Sequence, residues 1–335
     1  MEDDLVIVHA FGCLPEADLA KSALDAAGIE AMVRADSGGG MRPALAWSGV
    51  GYQVLVRAED EQAARDILSH AYAGVGMAEK RVTDYDTIAD DYDARYGLYE
   101  YAGVRETLLG FLGGPAPLAI LEVGCGTGHW LAEVHAKASA ERHLLAGVDL
   151  SAPMLARARL AAPAARLVRA RAEDLPWQGG AFDRIFCVNA LHHFADRARF
   201  FEEARRLLKP GGGLLTIGKD PHVDQDSWWV YDYFTETREI DKARYARVRT
   251  LRGEMAHAGF AWADSMQADH LEAVRSLADA QRSGMIAPSF TSQLTVLSSD
   301  EFNQGLERLR AADAAAGGEL QLVTDFKLYA TVGWV

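Results

Sequence analysis

At 335 residues the chain exceeds what one hydrophobic core usually organises, so two domains are expected. Its 49% hydrophobic and 24% charged composition excludes a disordered or fibrous polymer. A formal net charge of -14 argues against a broad nucleic-acid footprint, which needs a basic face to displace counterions from phosphates. The run Arg157, Arg159, Arg166, Arg169 and Arg171 is read as a solvated face. No apolar stretch reaches the length of a membrane-spanning helix, and the acidic start MEDDLVIVHAFG lacks a signal-peptide pattern. Cys13, Cys125 and Cys187 match no zinc or C-x-x-C spacing, so a reduced, cytoplasmic setting is expected.

Residues 1–75 are predicted to form a small α+β accessory domain. LVIVHA is a strand, and PEADLAKSALDAAG a helix with Pro15 in its first turn and Gly28 as its stop. IEAMVR and YQVLVR are strands separated by the loop SGGGMRP. Asp60 then opens the helix EQAARDILSHAYAG, with Ala63, Ile67 and Leu68 on one face. With its helix, AAGI, hairpin and helix in this order, the segment resembles a family of short domains described as signal-transducing modules. AGVGMAEK (Ala73–Lys80) is the expected linker.

From residue 81 to 335 strands alternate with helices. LAILEV, LLAGVDL, RLVRAR, DRIFCV and GLLTIG are apolar runs of strand length, with helices such as APMLARARLAA and DRARFFEEARRLLKPGG between them. Asp196 at the start and Pro-Gly at the end punctuate the last of these. Such alternation predicts a parallel sheet covered by helices on both faces. One helix through EIDKARYARVRTLRGEMAHAG leads to a strand over FAWADSMQ, and FKLYATVGWV is the last strand. Between them an insertion at about 268–324, with two helices, is a candidate lid or substrate wall.

The chemical signal is ILEVGCGTGHW, Ile120 to Trp130, in which glycines at every second position follow a strand. A dinucleotide fingerprint would place glycine at 129, where His129 stands, and a triphosphate loop would carry a lysine that is missing here. Asp149 follows Gly128 by 149 − 128 = 21 positions, at the end of the next strand. In a parallel sheet that carboxylate lies beside the glycine loop and can accept hydrogen bonds from two ribose hydroxyls. With no cation in the loop to neutralise phosphates, a nucleoside with a short zwitterionic tail fits better than a pyrophosphate.

LEVGCGTG, GVDLSAPML, RAEDLPW, FDRIFCVNALHHF and LLKPGGGLLTIG occur in one order across Tyr85 to Gly218. In these motifs the chain resembles the class I S-adenosylmethionine-dependent methyltransferases, especially the ubiquinone- and menaquinone-type enzymes. The resemblance implies a Rossmann-like, doubly wound α/β fold with a seven-stranded sheet. It implies that Glu122, Gly124, Cys125, Gly126 and Gly128 line the cofactor's methionine end, that Asp149 holds the ribose, and that Leu150 and Met154 flank the adenine. Asn189 would sit at the mouth beneath the sulfonium, and Tyr85 and Tyr92, in YDTIADDYDARYG, would close over the cofactor. Where the family usually carries an acidic residue this chain has Arg171, which leaves the adenine edge to the backbone of Ala172 and to Glu173 or Asp174.

Several of these residues also have a structural reading. Cys125 is a packing residue rather than a nucleophile, Ser151 is a better helix N-cap than Asp149, and Asp183 is structural. Methyl transfer from a sulfonium is an in-line displacement in which orientation can supply roughly 7–11 kcal/mol, so a general base is optional. If one acts, His192 or His193 in NALHHF is the first candidate. Asp220, His222 and Asp224 spell D-x-H-x-D, but no metal site is predicted. SWWVYDYF (Ser227–Phe234) either walls a pocket or packs a helix onto the sheet, and the stripe Phe302, Leu306 and Leu309 faces the core. The resulting expectation is methyl transfer to a small-molecule acceptor, without nucleic acid or a membrane span. A protein or peptide acceptor and a non-catalytic S-adenosylmethionine sensor are the alternatives.

Overall fold

A computed structural model of the chain describes residues 5–11, 14–35, 52–71, 83–89, 92–113, 116–137, 143–223 and 226–335. Cys13, the SGGGMRP loop, the linker Ala73–Lys80 and Asp224 lie outside the described residues. The chain divides into two compact units, Met1–Glu79 and Lys80–Val335.

In the first unit, β1 (Leu5–Phe11), β2 (Met32–Ala35) and β3 (Tyr52–Arg57) form an antiparallel sheet in the order β1-β3-β2. Helices Leu14–Ala26 and Glu61–Ala71 accompany it. Gly28 ends the first helix at φ +82°, a conformation costly for residues with a Cβ. Val8, Ala17, Ala20, Leu24, Val54, Val56, Ala64 and Leu68 make this unit's core. The second helix thus buries Ala64 and Leu68, one helical turn apart, and leaves the predicted Ala63 exposed.

The second unit carries β4 (Ala119–Val123), β5 (Leu144–Asp149), β6 (Arg166–Arg169), β7 (Phe182–Val188), β8 (Leu208–Gly218), β9 (Ser227–Trp228), β10 (Trp262–Ser276) and β11 (Gln321–Trp334). Seven of these run in the order β10-β11-β8-β7-β4-β5-β6, and the two-residue β9 pairs with β11 as an eighth. Strands β4 to β8 pair in parallel; β11 is antiparallel to both β8 and β10. This is the expected doubly wound sheet. Alternation places Ile120, Phe186, Leu215 and Ile217 in the core on one face, and Leu121, Val123, Ile185, Cys187 and Leu214 in the core on the other. The chain order reverses between β4 and β7, which opens a crevice at their carboxyl ends.

Two predicted boundaries move. The strand expected over FAWADSMQ continues to Ser276 and pairs with β11 from Trp262↔Trp334 to Ser276↔Gln321, so the segment between the last strands is 277–320, not 268–324. The single helix expected after Lys219 is two, Glu236–Arg244 and Val248–His257. The break is held from a distance, because Asp220 Oδ2 accepts the Val248 N–H at 2.9 Å and so satisfies the start of the second helix.

Helix Ser299–Ala315 is opened by a capping box of Ser298 and Glu301, and it packs Leu309 into the core beside Phe302 and Leu306, as the stripe predicts. A Cβ at its Gly305 would stand 2.2 Å from Phe234 Cδ1. Gly305→Ala is therefore expected to destabilise the unit despite the roughly 1 kcal/mol that alanine gains in a helix. A melting temperature lowered by about 2–6 °C is the predicted reading, and a rise would refute this packing.

Candidate active site

The crevice is floored by the turn after β4. Gly124, Gly126 and Gly128 have φ of +73°, +50° and +80°, so each serves a left-handed conformation. Their neighbours differ. A Cβ at Gly124 would lie 2.4 Å from Ala190 Cβ, and one at Gly128 would lie 3.0 Å from Ala158 of the facing helix Ala152–Ala161. At Gly126 it would meet Tyr92 Cε1 at 3.8 Å, within ordinary contact. Two of the glycines thus permit close packing of chain on chain, and Gly126 borders the opening.

The turn does not present a row of free amides. Gly124 and Cys125 both donate to Val148 O, at 2.8 and 2.9 Å, and Gly128 donates to Cys125 O at 2.8 Å. The Gly126 N–H donates to Asp149 Oδ2 at 2.8 Å, while Oδ1 of the same carboxylate accepts from Ser151 N at 2.9 Å. Asp149 points at the glycine turn, and Ser151 caps the next helix through Met154 N at 3.3 Å. Each Asp149 oxygen retains a further lone-pair direction for a hydroxyl.

Two short segments ahead of the sheet cover this floor. Asp86 Oδ1 accepts from Ser151 Oγ and Asp93 Oδ1 from Thr127 Oγ1, both at 2.5 Å, which ties Tyr85–Ile88 and Tyr92–Gly97 to the β5 and β4 turns. Tyr85 and Tyr92 meet edge to face at 5.8 Å and pack with Ile88, Ala89 and Met154. The Arg95 guanidinium lies 3.5 Å over the Tyr92 ring, and its Nη2 is buried without a partner.

Beneath them Glu122 is buried and its Oε2 also has no partner. Burial, and then the Asp149 charge, push the Glu122 carboxyl well above the usual range; burial raises Asp149 too, against the N–H bonds it accepts from Ser151 and Gly126. Two carboxyl groups in a poorly solvated crevice disfavour a phosphate and favour a cation. One orphan acceptor and one orphan donor match the ammonium and carboxylate of an amino-acid tail.

The remaining predicted residues separate into two groups. Ala172 is buried, and Asn189 sits at the end of β7 at φ +50° with its N–H on Ile217 O at 2.8 Å. Leu150 is 56% exposed and Asp174 is exposed. Glu173 is turned elsewhere: its Oε1 accepts the N–H groups of Ala195 and Asp196 at 2.7 and 3.1 Å, so this carboxylate braces the β7 loop and is not directed at an adenine edge. Cys125 and Cys187 are free and buried, and burial pushes both thiols up, so neither is a nucleophile. Asp183 accepts from Ala119 N and Lys209 Nζ, both at 2.8 Å, a structural role.

Beside Asn189 opens a cavity. Tyr85, Arg95 and His192 line one side, and Trp228, Phe290 and Phe326 wall another. In SWWVYDYF, therefore, Trp228 faces the cavity while Trp229 and Phe234 pack the core. His192 Nε2 is 3.0 Å from the Tyr245 hydroxyl, with the rings stacked at 3.9 Å; His193 Nε2 is 2.5 Å from the Tyr85 hydroxyl. Asp220 and His222 are engaged with backbone groups, His222 N and Val248 N for the first and Tyr245 O for the second. Among the described residues the one cluster with metal-ligand spacing is His270, Glu272 and Asp325, on the β10–β11 ribbon.

The sequence reading missed a buried polar chain behind this cavity. Lys219 Nζ donates to the Tyr231 hydroxyl at 3.0 Å, and that hydroxyl donates to Asp241 Oδ2 at 2.6 Å. Gln293 Nε2 donates to the same oxygen at 2.9 Å and to the Tyr245 hydroxyl at 3.3 Å. Arg244 Nη2 pairs with Asp241 Oδ1 at 2.6 Å. Apart from Asp241 and Arg244, which share one helix, these residues lie on different elements, so no local motif announces them. The aromatic-rich YDARYGLYEY was the available signal for Arg95.

Comparisons with known proteins bear on the fold of the second unit. Residues 121–216 match the family model described as a methyltransferase domain. A malonyl-[acyl-carrier protein] O-methyltransferase of Legionella pneumophila is 33% identical over 134 residues, 37% of this chain and 45% of that protein. A demethylmenaquinone methyltransferase of Thermus thermophilus is 34% identical over 110 residues, covering 32% and 49%. The chain thus spans about half the length of these relatives. A solved structure from Anabaena variabilis, assigned as a methyltransferase of an antibiotic biosynthesis pathway, superposes with a TM-score of 0.51 at 18% identity over 68% of this chain and 95% of that one, which supports the fold. Residues 121–216 are thus a methyltransferase domain of the kind whose cofactor is S-adenosylmethionine, and the second unit has the class I methyltransferase fold. Among the described residues no helix is long and apolar enough to cross a membrane.

Burial holds the Lys219 ammonium down to about 8 from an ordinary 10.5, against the nearby charges of Asp241 and Asp226, with Arg238 and Arg244 adding to the depression. Between those two values the unfolded chain binds the proton that the folded chain has lost, so this group's contribution to stability rises with pH across that window. Urea unfolding at pH 7 and pH 10 should show wild type gaining on the order of 2–3 kcal/mol relative to Lys219→Met. A difference that stays flat with pH would contradict it.

Proposed function

We propose that the protein transfers the methyl group of S-adenosylmethionine to a small-molecule acceptor held in the cavity beside Asn189, releasing S-adenosylhomocysteine. The observation that carries this reading is the continuity of the two halves of the site. Tyr92 lies against Gly126 of the glycine turn, and Tyr85 and Arg95, which pack on the Tyr92 ring, line the cavity walled by Trp228, Phe290 and Phe326. Its aromatic walls suit a flat small molecule better than an extended peptide. The relatives' names give malonyl-[acyl-carrier protein] and demethylmenaquinone as their acceptors. Residues 81–335 would carry the reaction and residues 1–75 an accessory function, with no nucleic-acid partner.

In this reading Asp149 accepts the ribose hydroxyls, and Met154 and Ala172 bound the adenine. Glu122 Oε2 accepts from the ammonium of the methionine tail and Arg95 Nη2 donates to its carboxylate, which gives each orphan atom a partner. Tyr85 and Tyr92 shield the sulfonium from water, and Asn189 at the mouth directs the methyl toward the acceptor. Loss of that methyl to a nucleophile neutralises the sulfonium, so a dry site that holds the reacting atoms in line supplies most of what catalysis requires. Where the acceptor arrives protonated, His192 is the base, because it borders the cavity and Tyr245 fixes its ring. His193 acts indirectly, through the Tyr85 hydroxyl.

Incubation with S-adenosylmethionine and a panel of phenols, hydroquinones and carboxylic acids should release S-adenosylhomocysteine with at least one of them. Tight cofactor binding with no turnover across the panel would favour a sensor over an enzyme. With an acceptor in hand, His192→Ala should lower turnover by about 100-fold or more and leave the cofactor Kd within about twofold. Undiminished turnover would remove His192 from the mechanism.

A further inference from the structure

Lys219 follows directly on β8, one strand over from Asn189, and borders the acceptor cavity. It is 8% exposed, and its ammonium lies among three ring faces, Trp228 at 3.8 Å and Tyr231 and Phe326 at 4.4 Å. Among the described residues it has no carboxylate within ion-pair distance, and its one hydrogen-bond acceptor is the Tyr231 hydroxyl at 3.0 Å. An ammonium has three donors, so two remain without an oxygen in a place that water reaches poorly. Ring faces offset part of that cost, since a cation over an aromatic quadrupole is attracted to it, but they do not neutralise the charge.

Neither neighbouring acid pairs with this ammonium, although the buried Asp226 Oδ2 has no hydrogen-bond partner of its own. Asp241 accepts from Tyr231, Gln293 and Arg244, and Asp226 Oδ1 accepts from Lys327 N at 3.4 Å. Tyr231, by donating to Asp241, turns its own oxygen lone pairs toward the lysine and so fixes where Nζ sits. The cavity therefore combines an anchored cation with flat apolar walls at Trp228, Phe290 and Phe326.

We infer that Lys219 is the specificity-determining residue for the acceptor, and that the acceptor is a flat, apolar molecule bearing an anionic oxygen, a carboxylate or an acidic hydroxyl, paired with the Lys219 ammonium. The inference rests on the assignment of this cavity to the acceptor. The anionic oxygen supplies the missing partner, and the rings that hold the lysine also stack on the body of the guest.

The test uses the full chain saturated with S-adenosylhomocysteine and two probes of one shape, 2-naphthoate and 2-naphthamide, read by tryptophan quenching or calorimetry at pH 7. Wild type should bind the anion about tenfold or more tightly than the amide. Lys219→Met should reduce the preference to within about twofold, and Lys219→Arg should retain most of it. Equal binding of both probes by wild type, or a preference that survives in Lys219→Met, overturns the inference. S-Adenosylhomocysteine affinity should be the same in all three proteins, which also reports that each is folded. If wild type fails to bind the nucleoside, the cofactor reading fails; the probe comparison, repeated without nucleoside, then judges Lys219 separately by the same two criteria.

Discussion

The site is organised by one carboxylate shared between two strand ends. Asp149, at the tip of β5, accepts the Gly126 N–H from the turn after β4 and the Ser151 N–H at the start of its own helix. Val148 O holds the Gly124 and Cys125 amides from the same strand. Together these bonds fix the turn against β5, and positive φ at three glycines is what lets the backbone follow that path. Ser151 and Thr127 then recruit Asp86 and Asp93, so the cover over the crevice is assembled on the same floor.

The crevice so formed is electrostatically one-sided. Glu122 and Asp149 are both poorly solvated, both are raised by burial, and the Asp149 charge adds to the cost of ionising Glu122. A ligand with positive charge would relieve that cost and a phosphate would worsen it, which is the physical ground for proposing that the glycine-rich turn here serves a sulfonium nucleoside. Farther along the crevice the charge reverses, with Lys219 and Arg95 bordering the cavity and Asp241 behind it engaged by Arg244. The two ends of the crevice therefore differ in the charge they present.

The sequence carried the parts of this arrangement that are local. Alternate glycines out of an apolar run, a carboxylate at the end of the next strand, and the alternation of strands with helices are all written within a few dozen residues, and they lead to the doubly wound sheet and to Asp149. Other readings failed for identifiable reasons. The amides of Gly124, Cys125 and Gly128, residues read from their motif as lining the cofactor, close the turn on Val148 and Cys125. Glu173, read from its motif as an adenine contact, is claimed by the amides of Ala195 and Asp196 on the next loop. The strand at 262–276 was read too short because DHLEAVRS carries charges; only its antiparallel pairing with β11 explains a half-exposed strand of that length. The helix break at Tyr245, which brings that ring onto His192, depends on Asp220 from another element. The Lys219–Tyr231–Asp241–Gln293 chain joins residues up to 74 positions apart (293 − 219 = 74), and no local pattern encodes such a network.

The central claim is that the Asp149 carboxylate, beside a phosphate-free glycine turn, holds a sulfonium nucleoside. Calorimetric titration of S-adenosylmethionine into the parent protein and into Asp149→Ala tests it most directly, with circular dichroism to establish that both are folded. The account predicts binding by the parent, a Kd raised by about tenfold or more in Asp149→Ala, and no heat from a nicotinamide dinucleotide with either protein. Equal affinity in the two proteins, or preferential binding of the dinucleotide, would contradict it.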